Sequence, residues 1–350
     1  MALPRPPVLA AAERLRWSLA WRRAGFAAPW PAVDGCWPTV RYSFRSPPGW
    51  SSADVERAAE RVALAARVPW WELHPASGGR WALVLDASDW STTASPPLRR
   101  CDERLTVPLG EHPNGCAVWD LRRAPHLLVA GATGSGKSSL LRTVVAALPL
   151  GWCWRVVVID PKEVDFAQAR YDIEVHGLPG AAAALTELVE DLDRRKEQLR
   201  LDGCDHWLDL PERVVPVRPT LVVLDESADL LGGVALAKPE AQRVREAVGV
   251  LARQGRACGI HLVAAFTRPD TEAVPGAVRD QFSARVALGP LSPDGARMLF
   301  GTHRVPPLPD GPPGTGLSLS LDGSQRLRRL RVPWVTIEAV RRRHGLAGLA

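Results

Sequence analysis

Leu127-Leu128-Val129-Ala130-Gly131-Ala132-Thr133-Gly134-Ser135-Gly136-Lys137-Ser138-Ser139-Leu140-Leu141-Arg142 is the stretch that decides the fold. Its first four residues are all apolar, as in a strand buried on both faces. Its last four begin a helix-forming run. Between them the residues fit G-x-x-x-x-G-K-[ST]. Glycines there let backbone N–H groups turn inward around an anion, and the start of the next helix adds positive potential. Lys137 is placed to reach the β- and γ-phosphates, and the Ser138 hydroxyl to ligate Mg²⁺. The spacing therefore predicts Gly131, Ala132, Thr133, Gly134, Ser135, Gly136, Lys137, Ser138 and Ser139 as nucleotide-binding residues, with ATP and Mg²⁺ as ligands. A chance match in a Gly-rich turn is the competing explanation, and the strand before and the helix after argue against it.

A second half is needed, and Leu221-Val222-Val223-Leu224-Asp225-Glu226 supplies it. A buried strand delivers an acidic pair to the carboxyl edge of a sheet, where ligands bind in such folds. Asp225 is the candidate Mg²⁺ ligand, through water. Glu226 is the candidate that positions or deprotonates the attacking water, with Lys137 as its catalytic companion.

Outward from this pair, strand and helix alternate. A hairpin over Val107–Trp119 turns at Asn114-Gly115. Strands are expected at His126–Ala130, Arg155–Asp160, Thr220–Asp225, His261–Phe266 and Ala284–Leu288, and helices at Lys137–Leu148, Ala181–Leu201 and Pro239–Cys258. Such alternation predicts an α/β fold: a P-loop NTPase, RecA-like, with a parallel sheet flanked by helices. The segment Val305–Gly316 is rich in Pro and Gly and is expected to be a surface loop. The chain divides near residue 105, into a small mixed α/β N-terminal domain over 1–105 and a motor domain over 106–350 that ends in a short basic helix. In the first part, residues 8–24 look helical, Val40, Tyr42 and Phe44 alternate as in a strand, and Val68–Leu73 and Trp81–Leu85 read as strands. Ser51 and Asp54 open a helix with Val55, Ala59, Val62 and Ala66 inward. Ser88–Pro97 reads as a linker.

Composition narrows the class without deciding it. The 350 residues are 46% hydrophobic and 23% charged, which is ordinary globular material. A net charge of +6 suits an anionic partner but proves none. The only lysines are Lys137, Lys162, Lys196 and Lys238, and all other basic charge is Arg, a bias we ascribe to a GC-rich genome. The six cysteines show neither a Cys-x-x-Cys pair nor zinc spacing and are expected to be small buried residues in a reducing compartment. There is no signal-peptide pattern and no apolar run of membrane-spanning length, so a cytoplasmic location is expected, with membrane attachment through another molecule as the variant.

With these motifs in place, the chain resembles the FtsK/SpoIIIE family of hexameric DNA translocases over roughly residues 105–300. Pro125–Gly131 looks like the family's entry strand, and Val158-Ile159-Asp160-Pro161-Lys162 is similar to its second strand and turn. Leu192-Asp193-Arg194-Arg195 resembles its Glu-Met-x-x-Arg-type helix. Asp225–Leu230 resembles its acidic motif, and Gly255–Leu262 with Thr267-Arg268-Pro269 its fourth core strand. Its length, its lack of a membrane span and its N-terminal region make it most similar to Tra-type proteins of actinobacterial conjugative elements. The resemblance implies an ATP-driven motor for double-stranded DNA, assembled as a homo-hexameric ring and meeting a membrane or conjugation partner protein.

Two departures stand out. Thr267 takes the place of the family's Gln, which senses the γ-phosphate, so Thr267 is a sensor candidate. No winged-helix module is expected after the motor. Arg285 sits where the family's trans-acting arginine resembles it, with Arg256 as second choice and an ordinary surface ion pair as the competing role for either. Lys162 could meet DNA phosphates or a neighbouring subunit, or be a solvated turn lysine. The clusters Arg194–Lys196, Arg326–Arg331 and Arg341–Arg343 are expected to face water, with a pore lining as the alternative; His261 is expected to be structural. Three other readings compete: a type VII-like protein-secretion ATPase, a chromosome-segregation motor, and a non-motor switch that only binds ATP.

Overall fold

The structure, a computed structural model, describes residues 21–22, 24, 32–36, 39–66, 68, 70–76, 78–86, 95–99, 105–113, 115–149, 153–166, 173–211, 217–231, 236–267, 276–301, 305 and 311–343. The expected helix over 8–24 and the linker over 88–97 lie almost wholly outside them. The chain forms two compact units, residues 1–92 with 306–309, and 93–305 with 310–350.

Among the described residues, the first unit holds a four-stranded antiparallel sheet and the helix that packs on it. Strands β1 (Ala32–Cys36), β2 (Thr39–Arg45), β3 (Trp70–Ala76) and β4 (Arg80–Asp86) lie in the order β1-β2-β4-β3. Helix α1 (Ser52–Ala66) begins at a reciprocal cap: the Ser51 N–H donates to the Asp54 carboxylate at 2.8 Å, and the Asp54 N–H to the Ser51 hydroxyl at 3.3 Å. Its apolar stripe of Val55, Ala58, Ala59, Val62 and Ala66 packs with Val40, Tyr42 and Phe44 of β2 and with Leu83 and Leu85 of β4. The alternation of Val40, Tyr42 and Phe44 is therefore the inward face of β2. Trp21 closes this core, with its ring 5.0 Å from Phe44.

The second unit holds a ten-stranded sheet. Its elements are β5 (Thr106–His112), β6 (Gly115–Asp120), β7 (Leu127–Gly131), α2 (Lys137–Ala147), β8 (Arg155–Ile159), β9 (Ile173–His176), α3 (Leu178–Asp202), β10 (Thr220–Leu224), α4 (Ser227–Leu231), α5 (Lys238–Gln254), β11 (Ile260–Phe266), α6 (Gly276–Arg279), β12 (Ala284–Leu288), α7 (Pro293–Phe300), β13 (Thr315–Leu319), β14 (Leu327–Arg331) and α8 (Ile337–Arg343). The strand order is β6-β5-β14-β13-β12-β7-β11-β10-β8-β9, and from β12 to β9 every pairing is parallel. The five strands expected from the alternation of short apolar runs with helices are all present. β7, β10 and β11 are buried along their whole length. Helix α2 buries Leu140, Leu141, Val144 and Val145 in the core beside the sheet, each worth about 1.5–3 kcal/mol of transfer free energy.

Four expectations are corrected. The segment 305–316 is not all surface loop: Gly314, Thr315 and Gly316 are buried, and Thr315 opens β13 between β12 and β14. Glycine is required there, since a Cβ at Gly316 would lie 1.9 Å from the Ala287 carbonyl oxygen. The cluster Arg326–Arg331 does not simply face water; β14 runs through it, with Arg329 and Arg331 buried. In Arg194–Lys196, Arg195 is an anchor rather than a solvated charge, paired with Asp191 at 2.7 Å and donating to the Thr220 hydroxyl at 2.8 Å. Cys116, Cys153, Cys204 and Cys258 are free thiols, but Cys116 and Cys153 are exposed rather than buried.

Candidate nucleotide site

Strand β7 lies between β11 and β12, and the glycine loop leaves its carboxyl end. Gly131 pairs with Leu288 of β12. A side chain at Gly131 would meet the Ser135 hydroxyl at 2.5 Å and the Leu288 carbonyl oxygen at 2.6 Å. Gly134 and Gly136 take left-handed φ values of 79° and 105°. The loop is thus a cradle that a Cβ would fill. The first-turn N–H groups of α2, from Lys137 onward, have no partner within the helix and can serve an anion.

Sequence reasoning missed what supports this loop. The Gly314 N–H donates to the Ser135 carbonyl at 2.7 Å, and the Val332 N–H to the Gly314 carbonyl at 2.9 Å. The Ser139 hydroxyl donates to the Pro333 carbonyl at 2.8 Å and accepts from the Val335 N–H at 2.7 Å. Of the residues expected to bind nucleotide, Ser139 can therefore offer only its backbone. The available signal was Gly314-Thr315-Gly316 followed by an apolar and polar alternation through Leu319.

Lys137 curls back over the loop, its Nζ 2.7 Å from the Gly131 carbonyl oxygen. Burial pushes its pKa down, against the pull of Glu226 and Asp225. The Ser138 hydroxyl donates to Asp165 at 2.8 Å, and Arg142 of α2 pairs with the same carboxylate. Asp225, just past β10, is pushed up to about 7 by burial and by the nearby carboxylates of Asp165 and Asp160. Asp160 itself is committed to the backbone, accepting from Lys162, Glu163 and Phe166 at 3.1–3.2 Å.

Glu226 has φ 45°, a left-handed conformation that Glu rarely adopts. It stands between the strands that flank β10. Thr267, at the end of β11, donates its hydroxyl toward both carboxylate oxygens, at 2.9 and 3.1 Å. Lys162, in the turn after β8, reaches Oε2 at 3.1 Å. Burial would raise the Glu226 pKa, but these two partners outweigh it and hold the pKa below the usual carboxylate range. The structure thus brings together the loop, Lys137, Ser138, Asp225, Glu226 and Thr267, and adds Lys162 and Asp165, which sequence reasoning had not placed there. Arg285 is set apart from them: it lies near the start of β12, beside Leu128 of β7, and donates to the carbonyls of Phe282 at 3.0 Å and Leu299 at 2.6 Å. Arg256 donates to the Arg122 carbonyl at 3.0 Å. His261, expected to be structural, is buried, with its Nδ1 3.1 Å from the Pro125 carbonyl oxygen.

The residues fit a magnesium nucleotide. Among the described residues no cluster of three or more His, Cys, Asp or Glu side chains could hold a metal by itself. Mg²⁺ needs no such cage, because phosphates and water supply most of its ligands beside one or two protein oxygens. A hydroxyl at Ser138 and a buried carboxylate at Asp225, disfavoured as an anion until a cation arrives, are that kind of donor set.

A glycine loop after a central parallel strand and an acidic pair at the end of a nearby one define a P-loop ATPase. Residues 91–216 match the model of the FtsK/SpoIIIE family. It is 28% identical over 340 residues to "DNA translocase FtsK" of Mycobacterium leprae, a match covering 84% of this chain and 39% of that protein. The chain thus spans about two-fifths of that relative's length. Among solved structures, the monomeric form of the pCW3 conjugation coupling protein TcpA with ATPγS shares the fold, at TM-score 0.62 and 19% identity, over 92% of this chain and 94% of that one. The cytoplasmic domain of the Thermomonospora curvata type VII secretion ATPase EccC matches at TM-score 0.59 and 26% identity, over 72% of this chain and 32% of that one. Among the described residues no helix is long and apolar enough to cross a membrane.

Proposed function

We propose that this protein is an ATP-driven translocase of double-stranded DNA that works as a ring of identical subunits, in the transfer of plasmid or integrative-element DNA. The observation that carries the reading is the grouping of the glycine loop, Asp225–Glu226 and Thr267 at one sheet edge, in a chain that matches the FtsK/SpoIIIE family model. Its similarity to a protein named DNA translocase supports duplex DNA as the substrate.

The backbone of Gly131–Ser139 holds the phosphates, and Lys137 leaves the Gly131 carbonyl to meet them. Ser138 and Asp225 would hold Mg²⁺, the latter through water. When bound, the ion neutralises charge on the β- and γ-phosphates. Glu226 takes a proton from the attacking water as the γ-phosphoryl is transferred and ADP leaves. An arginine from the neighbouring subunit completes the site, and Arg285 is the first candidate once released from its two carbonyls. Grip on DNA is through phosphates, hence salt-dependent and with little base preference. The motor acts in the cytoplasm, with attachment to a membrane through a partner protein as the variant of this reading.

The likeness to EccC favours a second reading, a protein-secretion ATPase. ATP hydrolysis with and without linear duplex DNA, beside Lys137→Ala, separates them. Stimulation by duplex of any sequence, abolished in the variant, supports the translocase. Turnover that depends on Lys137 but ignores DNA sinks it, and sends attention to secretion or switch roles.

A further inference from the structure

We propose that Lys162 and Thr267 are positioning residues that clamp Glu226 from its two flanking strands, and that duplex-DNA phosphate releases the clamp by drawing Lys162 away. This inference rests on the function proposed above and names how the same site is regulated.

The geometry is specific. β10 has β11 on one side and β8 on the other. Leu224 pairs with Ala264 of β11 and with Ile159 of β8, so residues just past these strand ends converge on Glu226. Thr267 arrives from β11 and Lys162 from β8, and together they occupy both carboxylate oxygens. A carboxylate held in this way has fewer lone pairs free to orient a water or take its proton. Thr267 suits a clamp for a chemical reason. Its hydroxyl has one hydrogen to donate, shared between two oxygens of one side chain, so it is spent on Glu226.

The two arms differ in how easily they let go. Thr267 is half-buried, whereas the Lys162 side chain is 60% exposed. Exposed ion pairs are weak and salt-screened, so a phosphate of higher charge density can displace the carboxylate. The backbone beneath Lys162 does not need to move, because Asp160 pins its N–H and those of Glu163 and Phe166. Only the side chain of Lys162 swings, toward the solvent where DNA phosphates lie. One lysine thus reports on DNA to the acid–base residue of the same subunit.

The test uses the full chain and the variants Lys162→Gln and Lys162→Arg, with ATP turnover measured against ATP concentration, with and without linear duplex. The expectation for Lys162→Gln is a DNA-free kcat raised about 10-fold at a KM within about 2-fold, and a DNA stimulation ratio falling toward unity, with Lys162→Arg restoring both values. Thr267→Val should raise DNA-free kcat in the same direction. A Lys162→Gln protein whose DNA-free kcat is unchanged or lower overturns the clamp, as does a stimulation ratio equal to that of the wild type. If duplex fails to stimulate the wild type, the translocase reading falls by itself, and the release arm falls with it. The clamp is then judged by the DNA-free kcat of Lys162→Gln alone.

Discussion

Val335 donates its backbone N–H to the Ser139 hydroxyl at 2.7 Å, and that hydroxyl donates onward to the Pro333 carbonyl at 2.8 Å. The first turn of the phosphate-loop helix is thereby tied to the segment after the last strand. The preceding serine faces the other way, toward Asp165. Consecutive serines in one motif therefore have separate duties.

Ser139→Ala should leave the buried Val335 N–H and Pro333 carbonyl without this partner, costing about 1–3 kcal/mol of stability. Nucleotide affinity and its Mg²⁺ dependence should stay near wild type. Ser138→Ala should do the reverse, keeping the melting temperature while raising the Mg²⁺ concentration needed for tight ATP binding. Thermal melts and nucleotide titrations over a Mg²⁺ series check both. Equal melting losses in the two variants would contradict this division.

Arg195 joins helix α3 to the amino edge of the sheet, through Asp191, Thr220 and the Cys258 carbonyl at 2.9 Å. Burial pushes its pKa down, so its charge persists through these partners. Removing one member of such a buried set costs about 3–5 kcal/mol, and Arg195→Ala should lose that much in denaturant unfolding. Arg195→Lys keeps the charge but not the fork, and should lose an intermediate amount. A loss under about 1 kcal/mol for the alanine variant would show that α3 is held by its apolar face alone.

His126 and His261 give the fold an acid sensitivity. Both are buried; burial, with the charge of His261 added, holds His126 down to about 3, and burial holds His261 down to about 4. Their folded pKa values lie below the unfolded value of 6.5, so their contribution is present above pH 6.5 and is lost as pH falls. Each should cost about 2 kcal/mol between pH 7 and pH 5. Asp225, pushed up to about 7, works in the opposite direction, its contribution falling as pH rises from the usual carboxylate range toward 7. The difference between wild type and His261→Gln isolates the histidine: the variant's stability should vary less with pH over that interval. Parallel stability–pH curves would refute the assignment.

What the sequence made legible follows from how each signal is encoded. The strands β7, β8, β10, β11 and β12 lie in the parallel part of the sheet and are largely buried, so they read as short, mostly apolar runs. The capping box of α1 and the glycine loop are local patterns and read directly. β13 and β14 escaped because one starts in a Gly/Pro-rich segment and the other carries Arg328, Arg329 and Arg331, residues that normally mark a surface. The contacts of Glu226 with Lys162 and Thr267 could not be read at all. They span 64 and 41 residues and exist only because β8 and β11 lie on either side of β10. Asp165 joined the site for the same reason, by folding back onto Ser138 from the turn after β8.

Gly136 tests whether the phosphate loop needs the support it receives from Gly314, just before β13. Its φ is 105°, and an added Cβ would lie 2.7 Å from the Gly314 nitrogen and 2.9 Å from its Cα. Gly134, two residues earlier, is also left-handed at 79° but has open space around it. Gly134→Ala should therefore meet only the backbone penalty, about 1–2 kcal/mol. Gly136→Ala should add a clash that drives the loop away from Gly314 and weakens the Ser135–Gly314 hydrogen bond, for a total of about 3 kcal/mol or more. ATP affinity should fall at least about 10-fold further in Gly136→Ala than in Gly134→Ala, since the first-turn N–H groups of α2 move with the loop. Melts and nucleotide titrations of the two variants decide the matter. If Gly134→Ala is the more damaging, the loop is shaped by its own backbone and the Gly314 contact is a bystander.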